Sequence, residues 1–184
     1  MRIIAGIYRR SKLITLEGLQ TRPTLDRIKE AIFSSLGNYL PPHTVALDIF
    51  GGSGALSLES LSRGAKQAYI IDNNPDAIKI IKLNANKLGI KDELVIIHGE
   101  YKNILPRFKD TKKFNLIFID PPFRMKIIDE LITYILDNNL LDDEGYIVAQ
   151  YPVEDVVRKD YPGLSVKLCR RYASSEVLIL TKEH

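Results

Sequence analysis

From Val45 onward the chain alternates apolar runs of strand length with longer stretches of helical period. The runs are VALDIF (45–50), QAYIID (67–72), ELVIIHG (93–99), FNLIFID (114–120) and GYIVAQY (145–151). Nearly unbroken rather than alternating apolar runs predict strands covered on both faces. Between them, ALSLESLSRG (55–64), NPDAIKIIKLNANKLG (74–89), a short piece through Leu105 and KIIDELITYILDN (126–138) read as helices. The second is the best marked: Asn74 caps it, Pro75 fills its first turn, Ile78, Ile81, Ala85 and Leu88 share a face, and Gly89 ends it. Earlier in the chain, RPTLDRIKEAIFSSLG (22–37) sets Leu25, Ile28, Ile32 and Leu36 at helical spacing. At the other end, SVKLCRRYASSEVLILT (165–181) reads as two strands around a short polar turn.

This order predicts an α/β fold: a mostly parallel, doubly wound, seven-stranded sheet with an antiparallel C-terminal edge hairpin. Residues 1–20, RIIAGIYRRSKLITLEG and its flanks, read as a short basic β-hairpin extension, and residues 21–184 as the main domain. There is no internal repeat. At 184 residues the chain suits one sizeable core.

Charge adds one feature. The net charge is only +3, but residues 1–40 carry +4 and the remainder −1. A basic arm on a near-neutral body is the electrostatic footprint expected of a nucleic-acid partner. No apolar run reaches membrane-spanning length, and the first residues lack the apolar core of a signal peptide, so a cytoplasmic, membrane-free protein is expected. The single cysteine, Cys169, excludes an internal disulfide and reads as a small buried strand residue. His43, His98 and His184 lack metal-ligand spacing, and no metal site is expected.

In doubly wound sheets, ligands bind beyond the carboxyl ends of the strands, so the residues closing each strand carry the candidate chemistry. The first run ends in DIFGGSGALSLE, where Gly51, Gly52 and Gly54 let the backbone approach a ligand and turn into a helix N-terminus. Such a loop alone serves dinucleotides, nucleotides and sulfonium cofactors alike. Asp48, just before it, would repel a pyrophosphate and attract a cation, which favours S-adenosylmethionine over NAD. Asp72 ends the second run where an acid can accept from both ribose hydroxyls, with Asn73 assisting, and Glu100 follows the third run within reach of an adenine.

The fourth run ends in Asp120-Pro121-Pro122-Phe123. Two prolines fix the backbone extended and remove two N–H donors, leaving a rigid array of acceptors. The Asp120 carboxylate and the Pro121 carbonyl could take the two N–H groups of an exocyclic base amine, while Phe123 offers a stacking face. Holding both hydrogens aims the nitrogen lone pair at an electrophile.

LDIFGGSGALSLESLSRGA together with FIDPPF resembles the class I S-adenosylmethionine-dependent methyltransferases that carry a D/N-PP-Y/F motif, a Rossmann-like family acting on planar amines. MRIIAGIYRRSKL and TRPTLDRIKEAIFSSL narrow the likeness to the RsmD group of bacterial 16S ribosomal RNA guanine-N2 methyltransferases, over essentially the whole chain. The resemblance implies methylation of a guanine N2 amine in small-subunit RNA, within a partly or fully assembled subunit, with release of S-adenosylhomocysteine; a monomer is the default expectation for a chain of this size. It places cofactor binding on Asp48, Phe50, Gly51, Gly52, Ser53, Gly54, Asp72, Asn73 and Glu100, and target binding on Asp120, Pro121, Pro122 and Phe123. RNA contact falls on Arg2, Arg9, Arg10, Lys12 and Arg22. The sequence departs from the group where Gly51 replaces a common Ala, Glu100 a usual Asp, and Ala5 and Arg10 frequent glycines; the first change is expected to leave cofactor binding intact. The rival readings are a DNA adenine or cytosine amino-methyltransferase, a protein glutamine methyltransferase, and a non-catalytic nucleotide-binding module.

Overall fold

The structure is a computed structural model and describes residues 1–16, 23–122 and 125–183. Its elements run α1 (Pro23–Leu36), β1 (Val45–Asp48), α2 (Ala55–Ser62), β2 (Gln67–Asp72), α3 (Pro75–Leu88) and β3 (Leu94–His98). There follow α4 (Tyr101–Ile104) with a 3₁₀ turn (Leu105–Phe108), β4 (Phe114–Ile119), α5 (Ile128–Asp137), β5 (Leu141–Pro152), β6 (Leu164–Tyr172) and β7 (Ser175–Lys182). The seven strands form one sheet in the order β3-β2-β1-β4-β5-β7-β6. β1 to β5 pair in parallel, and β7 runs antiparallel to both β5 and β6.

Each face of the sheet has its own core. Ile32 and Phe33 of α1, Leu58 of α2 and Ile81 of α3 cover one face, and Leu105, Phe108, Leu131 and Ile135 cover the other. The chain order reverses direction across the sheet between β1 and β4, which opens a crevice at their carboxyl ends. α3 forms as its local signals dictate: the Asn74 side chain accepts from Asp76 N at 2.9 Å, Pro75 lies in the first turn, and Gly89 closes the helix in the left-handed conformation.

Cys169 departs from expectation. It is exposed, because β6 is the outer edge strand and most of that strand's side chains reach solvent. An apolar-looking strand sequence does not reveal that its strand lies last in the sheet.

Residues 1–16 fold back on themselves. Ile3 N donates to Ser11 O at 2.9 Å, Leu13 N to Met1 O at 3.0 Å, and a single antiparallel bridge joins Arg2 and Lys12. Arg10 takes φ 70°, the left-handed conformation that a glycine adopts without strain, so the turn keeps glycine geometry on an arginine. Ile3 and Leu13 insert into the α1/α2/α3 core.

The arm lies along α2 and is stitched to it. Glu59 accepts from Ile4 N at 2.9 Å and Ala5 N at 3.1 Å, and also pairs with Lys29 at 3.0 Å and Arg63 at 2.7 Å. Ser62 accepts Ile7 N on its carbonyl at 2.9 Å and Tyr8 N on its hydroxyl at 3.0 Å. A Cβ on Gly6 would stand 1.8 Å from the Ser62 carbonyl oxygen, so only glycine permits this approach. Packed on the sheet on one side and covered by the arm on the other, α2 buries all but one residue, and the arm answers its polar Glu59 and Ser62.

Candidate active site at the carboxyl ends of the parallel strands

Asp48 is the last residue of β1 and pairs in register with Phe118 of β4, whose strand ends one residue before Asp120. Asp72 closes β2 on the other side of β1. Three carboxylates therefore converge on one crevice, and among the described residues none of the three forms an ion pair with a lysine, arginine or histidine. Asp48 is 1% exposed. Its Oδ2 accepts from the Ser57 hydroxyl at 3.3 Å, and its Oδ1 has no hydrogen-bond partner. Burial pushes the Asp48 carboxyl well above the usual range, the Asp120 charge adds to the rise, the Ser57 hydroxyl opposes it, and Asp72 adds further.

Asp120 is pushed up to about 7 by desolvation within the crevice. Its residue surface is nonetheless open to solvent. Water contact screens the carboxyl, so the ionised form stays within reach near neutral pH. Pro122 O accepts from Met125 N at 3.3 Å, while among the described residues no backbone N–H donates to the Pro121 carbonyl. Phe123 lies outside the described residues, as does Arg22.

The glycine loop is held by the strands around it. Gly51 N donates to Ile71 O at 2.9 Å and Gly54 N to Gly51 O at 2.7 Å. Asp72 accepts from Gly52 N at 2.9 Å on one oxygen and from Asn74 N at 2.8 Å on the other, which ties loop, β2 and the start of α3 together. Each of its oxygens keeps a second lone pair for a ligand. Gly52 takes φ 57° and has open space where a side chain would project. At Gly51, by contrast, a Cβ would meet Ile70 Cγ2 at 2.2 Å, so the alanine common elsewhere fits here only if Ile70 moves. The loop passes into the N-terminus of α2, whose first N–H groups face the crevice.

Asn73 and Glu100, assigned separately from the sequence, touch: Asn73 Nδ2 donates to Glu100 Oε1 at 2.6 Å. Phe50 packs edge-on against Tyr101 with centroids 5.2 Å apart, and the Tyr101 hydroxyl is buried without a partner. A fully buried Asn84 on α3 is the residue that sequence reasoning missed. Its Nδ2 donates to Ser53 O at 3.0 Å and Ile14 O at 2.9 Å, while its Oδ1 accepts from Ile14 N at 2.8 Å. One amide thus joins the arm to the glycine loop; the only hint in the sequence is a polar residue beside Ala85 on the apolar face of α3.

The expected RNA-contact cations differ in their surroundings. Arg9, Arg10 and Lys12 are exposed. Arg2 lies 3.7 Å from Asp26. Lys29, which contributed to the N-terminal positive charge, is 3% exposed and committed to Glu59, so it adds nothing to the surface field.

A cationic ligand with hydroxyl donors fits this set. The orphaned Asp48 oxygen and the acceptors on Asp72 supply what such a ligand needs, and the open left-handed Gly52 leaves room for it.

A family model described as conserved hypothetical protein 95 matches residues 1–181. The chain is 34% identical to the Bacillus subtilis (strain 168) protein YlbH, provisionally named an rRNA methyltransferase, over 99% of either chain. It is 36% identical to ribosomal RNA small subunit methyltransferase D of Escherichia coli (strain K12), over 84% of this chain and 76% of that one. The solved structure of Escherichia coli yhhF, provisionally named a methyltransferase, superposes with a TM-score of 0.86 at 30% identity, covering 100% of this chain and 98% of the other.

Proposed function

The chain belongs to the RsmD family of class I S-adenosylmethionine-dependent methyltransferases, and from that membership we propose that it methylates the exocyclic N2 amine of a guanine in small-subunit ribosomal RNA. As a family member it is an S-adenosylmethionine-dependent rRNA methyltransferase; the guanine, its N2 atom and the residue roles are our reading. The observation that carries it is Asp120-Pro121-Pro122 at the end of β4, opening onto the same crevice as Asp48, the glycine loop and Asp72.

S-adenosylmethionine, when bound, supplies a methyl group on a positively charged sulfur that needs no further activation. Asp48 would face the positive charge, Asp72 with Asn73 assisting would accept from the ribose hydroxyls, the open Gly52 would leave space for the cofactor, and Glu100 would border the adenine. Asp120 and the Pro121 carbonyl accept the two N–H groups of the amine, which fixes the nitrogen with its lone pair toward the methyl. The Asp120 carboxylate also stabilises the positive charge that develops on that nitrogen and stands ready to receive its proton. Phe123 stacks on the base, and Arg2, Arg9, Arg10, Lys12 and Arg22 hold phosphates. The protein acts as a cytoplasmic monomer on RNA within the small subunit; among the described residues no helix is long and apolar enough to cross a membrane.

The test is methyl transfer from labelled S-adenosylmethionine to small subunits lacking their own modifications, with mass spectrometry of the digested nucleosides. N2-methylguanosine formed by the wild type and lost in Asp120→Ala supports the reading. Cofactor binding without a methylated nucleoside redirects it to DNA or protein amides, and no cofactor binding refutes it.

A further inference from the structure

The register of the sheet carries the active site across to its far edge. Ile119 of β4 pairs with Ala149 of β5, Ala149 with Leu178 of β7, and Leu178 with Cys169 of β6. These residues form one row, and the next position along that row sets Arg170 level with Asp120. Three strand spacings separate them, about 14 Å. That is roughly four stacked nucleotides at 3.4 Å each.

Arg170 and Arg171 lie near the end of β6, which Tyr172 closes just before a tight turn in which Ala173 takes φ 46°. Both are exposed, and successive residues on a strand project to opposite faces, so the pair straddles the sheet edge. Their strand is firmly held: β6 and β7 pair from Leu164↔Lys182 to Tyr172↔Ser175, and Tyr172 packs into the core beside α1. Glu176, the acid directly opposite Arg171, is already occupied. It accepts from the Tyr151 hydroxyl at 2.7 Å and pairs with Lys159 at 3.0 Å. The exposed Glu154 and the half-buried Asp155 lie on the loop that Val153 N ties to Ser174 O, yet neither pairs with an arginine. Among the described residues, Arg170 and Arg171 make no ion pair at all.

We infer that Arg170 and Arg171 form a second phosphate-binding rim, which grips RNA flanking the target base on the side opposite the N-terminal arm. The inference rests on the proposed RNA substrate and adds to it a surface that no arm residue contributes. Two unpaired guanidinium groups on a firmly paired strand, one level with Asp120 and one a residue beyond, suit a polyanion running across the strand ends, since guanidinium forks match phosphate oxygens. Cations on an edge strand can also serve to block strand pairing between molecules. Charge reversal separates the two roles, because glutamate still blocks pairing but repels phosphate.

The experiment compares wild type, the double variant Arg170→Glu with Arg171→Glu, and the corresponding double alanine variant. Methyl transfer to unmodified small subunits is measured across a salt series, with direct subunit binding and calorimetric S-adenosylmethionine binding alongside. The glutamate pair should raise the KM for subunits about tenfold or more, leaving kcat and cofactor affinity within about twofold of wild type. The alanine pair should flatten the log–log salt dependence of binding by roughly 0.7 per lost contact. An unchanged KM and slope with normal cofactor binding would overturn the rim while leaving the proposed function standing. Loss of cofactor affinity together with subunit affinity would overturn it too, by showing that the turn merely supports the fold. If wild type binds subunits but transfers no methyl group, the proposed function falls and the binding series alone decides the rim: weakened binding upholds it, unchanged binding removes it.

Discussion

Asp48 at the end of β1 and Glu59 in the middle of α2 are 1% and 0% exposed, and their surroundings are opposite. Glu59 has two cations and two backbone N–H groups around its carboxylate, so every part of its charge is answered within the protein. Asp48 has one weak hydroxyl partner, a small contribution from the Phe50 backbone N–H, an orphaned oxygen and two further carboxylates for company. Folding alone gives no reason to keep such a group, because an unanswered buried charge is costly. The difference separates an acid that builds the molecule from one that, on the proposed reading, answers to a ligand.

The largest effect should come from the answered acid. Glu59→Ala strands Lys29 and Arg63 in the core and should cost about 3–5 kcal/mol in urea unfolding, with the arm losing protection from hydrogen exchange. Asp120→Asn should lower methyl transfer by roughly 10²–10³, equivalent to about 2.7–4 kcal/mol. In wild type the rate should rise with pH as this carboxyl ionises, up to about 7, and the asparagine variant should lose that limb of the profile. A flat wild-type profile over the same range would remove Asp120 from the chemistry.

Asn84→Ala leaves Ser53 O and both polar groups of Ile14 unpaired and should cost about 1–3 kcal/mol. Faster exchange at Ile14 together with weaker cofactor binding would show that arm and loop are one unit; a loss of stability with unchanged cofactor affinity would separate them. The smallest effect is expected at Asp48. Its raised folded-state pKa means that folding takes up a proton, so it weakens the fold progressively as pH rises above the unfolded value near 3.8. Asp48→Asn should remove that slope and raise Tm at neutral pH by roughly 2–4 °C, while cofactor affinity drops. Reduced stability in this variant would collapse the contrast with Glu59.

Much of this is legible in the sequence alone. The signals for α3 are local, so Asn74, Pro75 and Gly89 announce it without tertiary context. Asp72 and Asp120 stand out because each closes an apolar run, Asp48 because it interrupts the end of one, and a parallel sheet brings such ends together. What could not be read depends on partners distant in sequence. Glu59 and Arg63 look like an ordinary exposed i,i+4 pair on a short helix, and only the arm and α1 closing over them turn the pair inward. Asn84 is one polar residue on a helix until Ser53 and Ile14 arrive from 31 and 70 positions away. The exposure of Cys169 and the crowding at Gly51 depend on strand order and on the reach of Ile70, neither of which a single segment encodes.

Gly6 and Gly52 share a positive φ but meet different surroundings: a carbonyl at 1.8 Å in the first case, open space in the second. In a saturation library sorted twice, once for survival of heating and once for methylation, they would therefore part company. Replacements at position 6 would be purged in the first sort, because the arm has to lift away from α2 to admit any side chain. At position 52 many would survive heating and vanish only in the second, marking a residue selected for its ligand and scarcely for the chain that carries it.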